Sequence, residues 1–193
     1  MKYDVFISYS RKDYVDESGK VISNSIVSKI KKELTTHGYT YWFDEDGIYS
    51  GDAFVGVITE AIKNSEIFLF ISSKNSNASE WTNHEIAAAK LLKKKTIPFR
   101  VDDSDYHSSI LMYLAPLDYI DYQVNNKKAI IQLIATIENH YAAKAKDNPL
   151  PYESDKKEEL EIELNKLYSP KITVSKESIQ NMEKDKSRSN AIE

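Results

Sequence analysis

Cysteine is absent from all 193 residues, which excludes disulfides, thiolate zinc sites and a cysteine nucleophile. Glycine is nearly as scarce: only five occur, and neither GxGxxG nor a P-loop can be assembled from them. A dehydrogenase or NTPase of the usual kind is therefore excluded. A basic excess is also missing. Lys plus Arg number 26 against 30 Asp plus Glu, a formal net charge of -4, so the chain lacks the cationic surplus that phosphate-backbone binding needs, and nucleic acid is not expected as a partner. No apolar run approaches the ~20 residues of a membrane-spanning helix, and no membrane association is expected. Met1 to Ser10 turns polar too soon for a signal peptide, so the protein is expected in the cytoplasm. The four histidines, His37, His84, His107 and His140, form no close ligand pair, and no metal is expected.

What is present is an alternation. Short runs rich in β-branched and aromatic residues alternate with longer segments of helical period, the pattern of βαβ units around a parallel sheet. Strands are expected at 3–8 (YDVFIS), 39–43 (YTYWF), 66–72 (EIFLFIS), 95–101 (KTIPFRV) and near Leu117 to Ile120. The third is apolar throughout and should be central. Helices are expected from about Val21 to Thr36, with Gly38 at its C-terminus, over 54–65, over 78–92, and from Asn126 to Ala143 with Ile130, Ile134 and Ile137 on one face. Composition changes at about Asp147, where DNPLPYESDKKEEL is proline-marked and then densely charged. The reading is one domain over 1–146 and a charged, partly helical extension over 147–193, with Leu160, Leu164 and Leu167 on one amphipathic helix.

In an open parallel sheet ligands bind beyond the carboxyl ends of the strands. That selects the loops Tyr9 to Ser18, Asp44 to Asp52 and Ser72 to Glu80, all rich in serine, aspartate and asparagine. One acid stands out beside them. In ASEWTNHEIAAAKLL (78–92), at roughly 100° per residue, Trp81, Ala88 and Leu92 form an apolar stripe and Glu85 falls within it. It lies too far along to serve the helix dipole, which Glu80 already does if Ser79 is the N-cap. Glu85 is either a partly desolvated carboxylate at a cleft or a rim glutamate bonded to a neighbour. Ser8, Ser10 and Ser72 are conceivable nucleophiles, but no GxSxG elbow accompanies them. WFDEDGIYSGDAF (42–54) holds four acids, either a divalent-ion loop or, better matched by its spacing, a solvated turn.

Taken together, YDVFISYSRKD (3–13), GYTYWFDEDGIYSGDAF (38–54), SEIFLFISS (65–73) and SEWTNHEIAAA (79–89) resemble a bacterial Toll/interleukin-1 receptor (TIR) domain, over about residues 1–143. The resemblance implies an α/β, flavodoxin-like three-layer sandwich with a five-stranded parallel sheet ordered 2-1-3-4-5. Some TIR domains only associate with one another, whereas others cleave NAD+ between nicotinamide and ribose. The cleaving members have a glutamate four residues after a tryptophan, and Trp81 and Glu85 match that pair. The resemblance thus makes Glu85 the catalytic acid and NAD+ a substrate, with no cofactor required. It implies that Tyr9, Ser10 and Arg11 contact nicotinamide or the diphosphate, that Phe54 borders the nicotinamide ribose, that Trp81 lines the opposite wall, and that Ile48 and Asp44 contribute to the same site. It further implies self-association through the BB loop, residues 45–52, activity as a glycohydrolase or cyclase in bacterial anti-phage immunity, and a separate effector that senses the product. DGIYSG replaces the proline-glycine pair of animal receptor BB loops, and no phenylalanine-tryptophan motif lies near the last helix, which argues against an animal signalling adaptor. The remaining readings are a catalytically silent interaction module and a secreted factor that interferes with host TIR signalling.

Overall fold

Seven of the eight residues of Ser65–Ser72 are buried, all but Glu66. A strand apolar on both sides needs a layer on each face, and this one, β3, occupies the middle of a five-stranded parallel sheet. The computed structural model describes residues 1–44 and 52–147, the side chains of 52–54 excepted. The strands are β1 (Tyr3–Ser8), β2 (Tyr41–Trp42), β3, β4 (Lys95–Arg100) and β5 (Ile120–Asp121), ordered β2-β1-β3-β4-β5 as expected. Parallel pairing requires crossovers, which α1 (Ile26–Thr36), α2 (Asp52–Lys63), α3 (Lys74–Asn77), α4 (Glu80–Leu91) and α5 (Ser108–Leu114) supply, before α6 (Asn126–Asp147) ends the described chain. The chain divides into two units, Met1–Ala143 and Lys144–Glu193, and the whole sheet lies in the first.

The pleat sorts the core into two layers. Val5, Ile7, Ile67, Leu69 and Ile71 face α1, through Val27, Ile30 and Leu34, and α6, through Leu133, Ile134 and Ile137. Phe6, Phe68 and Phe70 point the other way, onto Ile58 and Ile62 of α2, Ile86 and Ala89 of α4, and Ile110 and Leu114 of α5. On this second face Phe6 stacks between Trp42, at 4.8 Å, and Phe68, at 5.4 Å. Each such buried phenylalanine contributes on the order of 1.5–3 kcal/mol. At the amino edge of the sheet, Asp4 accepts hydrogen bonds from Thr40 N, Thr40 Oγ1 and Tyr141 Oη, which ties β1 to the residue before β2 and to α6.

Several boundaries differ from expectation. Helix α1 starts at Ile26 rather than Val21, because Ser25 caps it by accepting from Ser28 N, while Val21 forms an isolated antiparallel bridge with Val15. Helix α2 starts two residues earlier than expected and α6 runs four residues further. Strand β2 is only two residues long, and β5 is Ile120–Asp121 because Leu117 packs under α5 instead. Helices α3 and α5 are additional. The expected stripe on α4 is also shifted: Thr82, Ile86 and Ala89 are its buried residues, while Trp81 is 48% exposed. The expected helix bearing Leu160, Leu164 and Leu167 lies outside the described residues, as does the expected boundary's far side.

Helices α1 and α4 end in the same motif. The residue after the C-cap takes positive φ, its N–H bonds back three residues, and the next N–H bonds back five. In α1 that residue is Gly38, φ +77, with Gly38 N on Thr35 O and Tyr39 N on Leu34 O. In α4 it is Lys93, φ +54, with Lys93 N on Lys90 O and Lys94 N on Ala89 O.

Candidate active site

Strand alternation decides which β1 side chains meet α4. Phe6 faces the α4 layer, so Ser8, two residues on, faces it as well. Ser8 is 1% exposed, and its hydroxyl donates a 2.6 Å hydrogen bond to Glu85 Oε2. Glu85 stands beside the buried Thr82–Ile86–Ala89 stripe. Burial of its carboxylate is the main reason that its pKa rises to about 8; the Ser8 hydrogen bond opposes the rise, and the charge of Asp44 adds to it. An acid held in this state beside a cleft is a candidate for chemistry.

The cleft is a hollow of about 300 Å³ at the carboxyl ends of β1 and β2, at the lower end of the size of small-ligand sites. Glu85 and Trp81 of α4, with the cap residue Ser79, form one side. Trp81 meets His84 edge-on at 6.2 Å. Tyr9, Ser10, Arg11 and Lys12 line the side that follows β1, and Trp42 and Asp44 the side that follows β2. Tyr9 stacks on Phe43 at 4.7 Å, and its phenol donates to the Asp44 carbonyl at 2.6 Å, so the chain leaving β2 is held against the chain leaving β1. Burial first, then the Asp44 charge, pushes the Tyr9 phenol well above its ordinary value, and it is neutral at physiological pH.

The backbone after β1 is braced as well. Ser10 precedes a 3-10 turn, Arg11–Asp13, whose Asp13 carboxylate accepts from Ser73 Oγ and from Asn75 Nδ2. Ser73 in turn caps α3 in a reciprocal arrangement with Ser76. The serine- and asparagine-rich sequence after β3 thus anchors the turn that presents Arg11 and Lys12 to the hollow.

Of the residues expected at the site, Tyr9, Ser10, Arg11, Asp44, Trp81 and Glu85 line this one hollow. Ile48 lies outside the described residues. Phe54 is in the first turn of α2, but its side chain is not described. Most of the 45–52 loop, and with it the divalent-ion reading of 42–54, is likewise outside the described residues. Sequence reasoning missed Lys12, Trp42 and Ser79, and considered Ser8 only as a nucleophile; the alternation Phe6–Ser8 was the signal that would have found it. No group of three or more His, Asp or Glu side chains that could hold a metal ion occurs among the described residues. No helix among them is long and apolar enough to cross a membrane.

Comparison with known proteins gives three findings. The profile of the TIR domain family matches residues 5–134. A probable 2′ cyclic ADP-D-ribose synthase, TcpO of Methanobrevibacter olleyae, is 30% identical over 84 residues, which are 44% of this chain and only 22% of that protein. Among solved structures, the TIR domain of the Toll-related receptor TRR-2 from Hydra magnipapillata aligns over 71% of this chain and 99% of its own, at 17% identity and a TM-score of 0.56. The TIR domains of the activated Roq1 resistosome align over 70% and 99%, at 18% identity and a TM-score of 0.51. At such identities the two structures bear on the fold alone.

Proposed function

The chain belongs to the TIR domain family, and from that premise we propose that it cleaves the nicotinamide–ribose bond of NAD+, with Glu85 as the catalytic carboxylate. The observation that carries the proposal is a desolvated acid in a hollow, its Oε2 held by Ser8 and its neighbour Trp81 at the rim. The resemblance to a probable cyclic ADP-D-ribose synthase supports the choice of substrate, because ADP-ribose is what remains of NAD+ when nicotinamide leaves.

In the proposed step the C1′–N bond breaks, its electron pair passes to the ring nitrogen, and nicotinamide departs neutral. Positive charge develops on the ribose. Glu85, with Oε2 fixed by Ser8, offers Oε1 to the sugar; a preorganised anion in a site shielded from water stabilises such a cation strongly. The raised pKa fits this task. Burial holds Glu85 largely protonated at neutral pH, and arrival of a cationic ring favours the ionised form, so substrate binding releases a proton. Arg11 and Lys12 face the diphosphate, Tyr9 and Trp81 flank the ring, and Asp44 adds negative charge on the ribose side. Phe54 and Ile48 are assigned to the remaining wall. Attack at C1′ by water gives ADP-ribose, and attack by an adenine nitrogen gives a cyclic product.

Self-association through residues 45–52, a cytoplasmic antiviral role and an effector that senses the product extend the same reading and rest on the family resemblance. The test is to incubate the full chain at high concentration with NAD+ and identify products by mass spectrometry. Nicotinamide together with ADP-ribose or a cyclic isomer of it supports the proposal. Undiminished NAD+ under conditions in which the protein self-associates overturns it.

A further inference from the structure

At the opposite edge of the sheet from the Glu85 cleft, where α4 ends and β4 begins, lies a second hollow of about 440 Å³. Its floor is apolar, made by Ile86 of α4, Leu114 of α5 and Leu117. Its rim is cationic: Lys90, Lys93, Lys94 and Lys95 all line it, and no carboxylate is among the described residues that do. Tyr113, 39% exposed, adds an aromatic wall. Lys94 is anchored, its Nζ donating to the Lys63 and Ser65 carbonyls at 2.7 and 2.6 Å, which fixes the backbone from which its two neighbours project.

Independent support comes from the backbone. Lys93 occupies the positive-φ position of the motif that ends α4, the position that Gly38 fills in the matching motif of α1. Glycine adopts that conformation without steric cost and lysine does not. That cost is retained at a residue that lines the hollow. Clustered positive charge around an apolar floor calls for an anion carrying an apolar body, and walls from α4, β4 and α5 enclose a small molecule better than an extended peptide.

We infer that this hollow binds a phosphorylated small molecule with an aromatic ring, of the nucleotide class: Lys90, Lys93 and Lys95 take the phosphates, and Tyr113 with Leu114 and Leu117 takes the ring. Nothing in this inference depends on Glu85 or on NAD+ cleavage.

The test is a titration of the ¹⁵N-labelled full chain with ADP, with inorganic pyrophosphate and adenosine as separate arms, read residue by residue by NMR. Saturable shifts at Lys93, Lys95, Thr96 and Leu117, tighter for ADP than for either fragment, are expected. Lys93→Gly removes one amine while suiting the backbone, so folding is preserved; it should weaken ADP at these residues about threefold, and with Lys90→Gln and Lys95→Gln added about tenfold or more. Arg11→Gln, in the other cleft, should leave these shifts unchanged. Shifts confined to Ser10, Arg11 and Trp81, shifts that do not saturate, or affinity that survives the triple substitution would overturn the inference.

Discussion

Ser8 and Glu85, 77 positions apart in the chain, meet in a 2.6 Å hydrogen bond between the last residue of the first strand and the second turn of α4. The bond does two things at once. It fixes one carboxylate oxygen, and it is the interaction that opposes the desolvation of an acid whose pKa stands at about 8. Orientation and ionisation of the proposed catalytic group therefore share one donor.

Ser8→Ala removes that donor, so the Glu85 pKa rises further. If ionised Glu85 is the active form, kcat/KM for NAD+ climbs with pH through the free-enzyme pKa, near pH 8 in the native protein. In the variant the limb moves to higher pH, and kcat/KM at pH 7 falls about ten- to a hundredfold, since a hydrogen bond to a charged group is worth about 1.5–3 kcal/mol. A pH–rate profile checks it: an unmoved limb with a uniformly lower rate would mean that Ser8 only positions.

Glu85 also leaves a signature in stability. Its folded pKa is raised, so the native state retains a proton that the unfolded chain has lost. Stability attributable to this group is full below the unfolded value and declines as pH rises through about 8. Glu85→Gln, which keeps an acceptor for Ser8, should therefore match the native protein in thermal unfolding near pH 4 and exceed it at pH 8.5.

Asp4 behaves in the opposite sense. Burial tends to raise its pKa, but hydrogen bonds from Tyr141 and Thr40 outweigh that and lower it below the ordinary 3.8. Its contribution is present at neutral pH and lost as pH falls through the lowered value. Asp4→Asn should cost about 1 kcal/mol at pH 7 by urea unfolding, with the gap closing under strong acid.

Lys93→Gly relieves the positive φ at the end of α4. Urea unfolding should show stabilisation of about 0.5–1 kcal/mol, the more flexible unfolded chain offsetting part of the relief. A destabilised variant would mean that the lysine stem supplies packing worth more than the strain.

Much of this was legible because the pleat and the helical period are simple. The short apolar run within YDVFIS and the longer one within β3 give the sheet and its central strand directly. Helix α5 was hidden because seven residues, SSILMYL, are too short to establish a period. The buried stripe of α4 was read one position off because it includes Thr82, which hydropathy alone places outside. At the candidate site, Glu85 was detectable as an acid on the wrong face, whereas its partner Ser8 required knowing which layer α4 joins. The lysine rim was illegible for a related reason: AKLLKKKT reads as a solvated helix end, and only the positive φ at Lys93 and the approach of α5 make it a hollow.

The central claim is best tested by NAD+ turnover of Glu85→Gln, measured as nicotinamide release by the self-associated full chain. The variant keeps the shape of the side chain and its hydrogen bond from Ser8 while removing the charge. A catalytic Glu85 predicts a loss of at least about a hundredfold in a protein that unfolds no earlier than the native one; release at the native rate would contradict it.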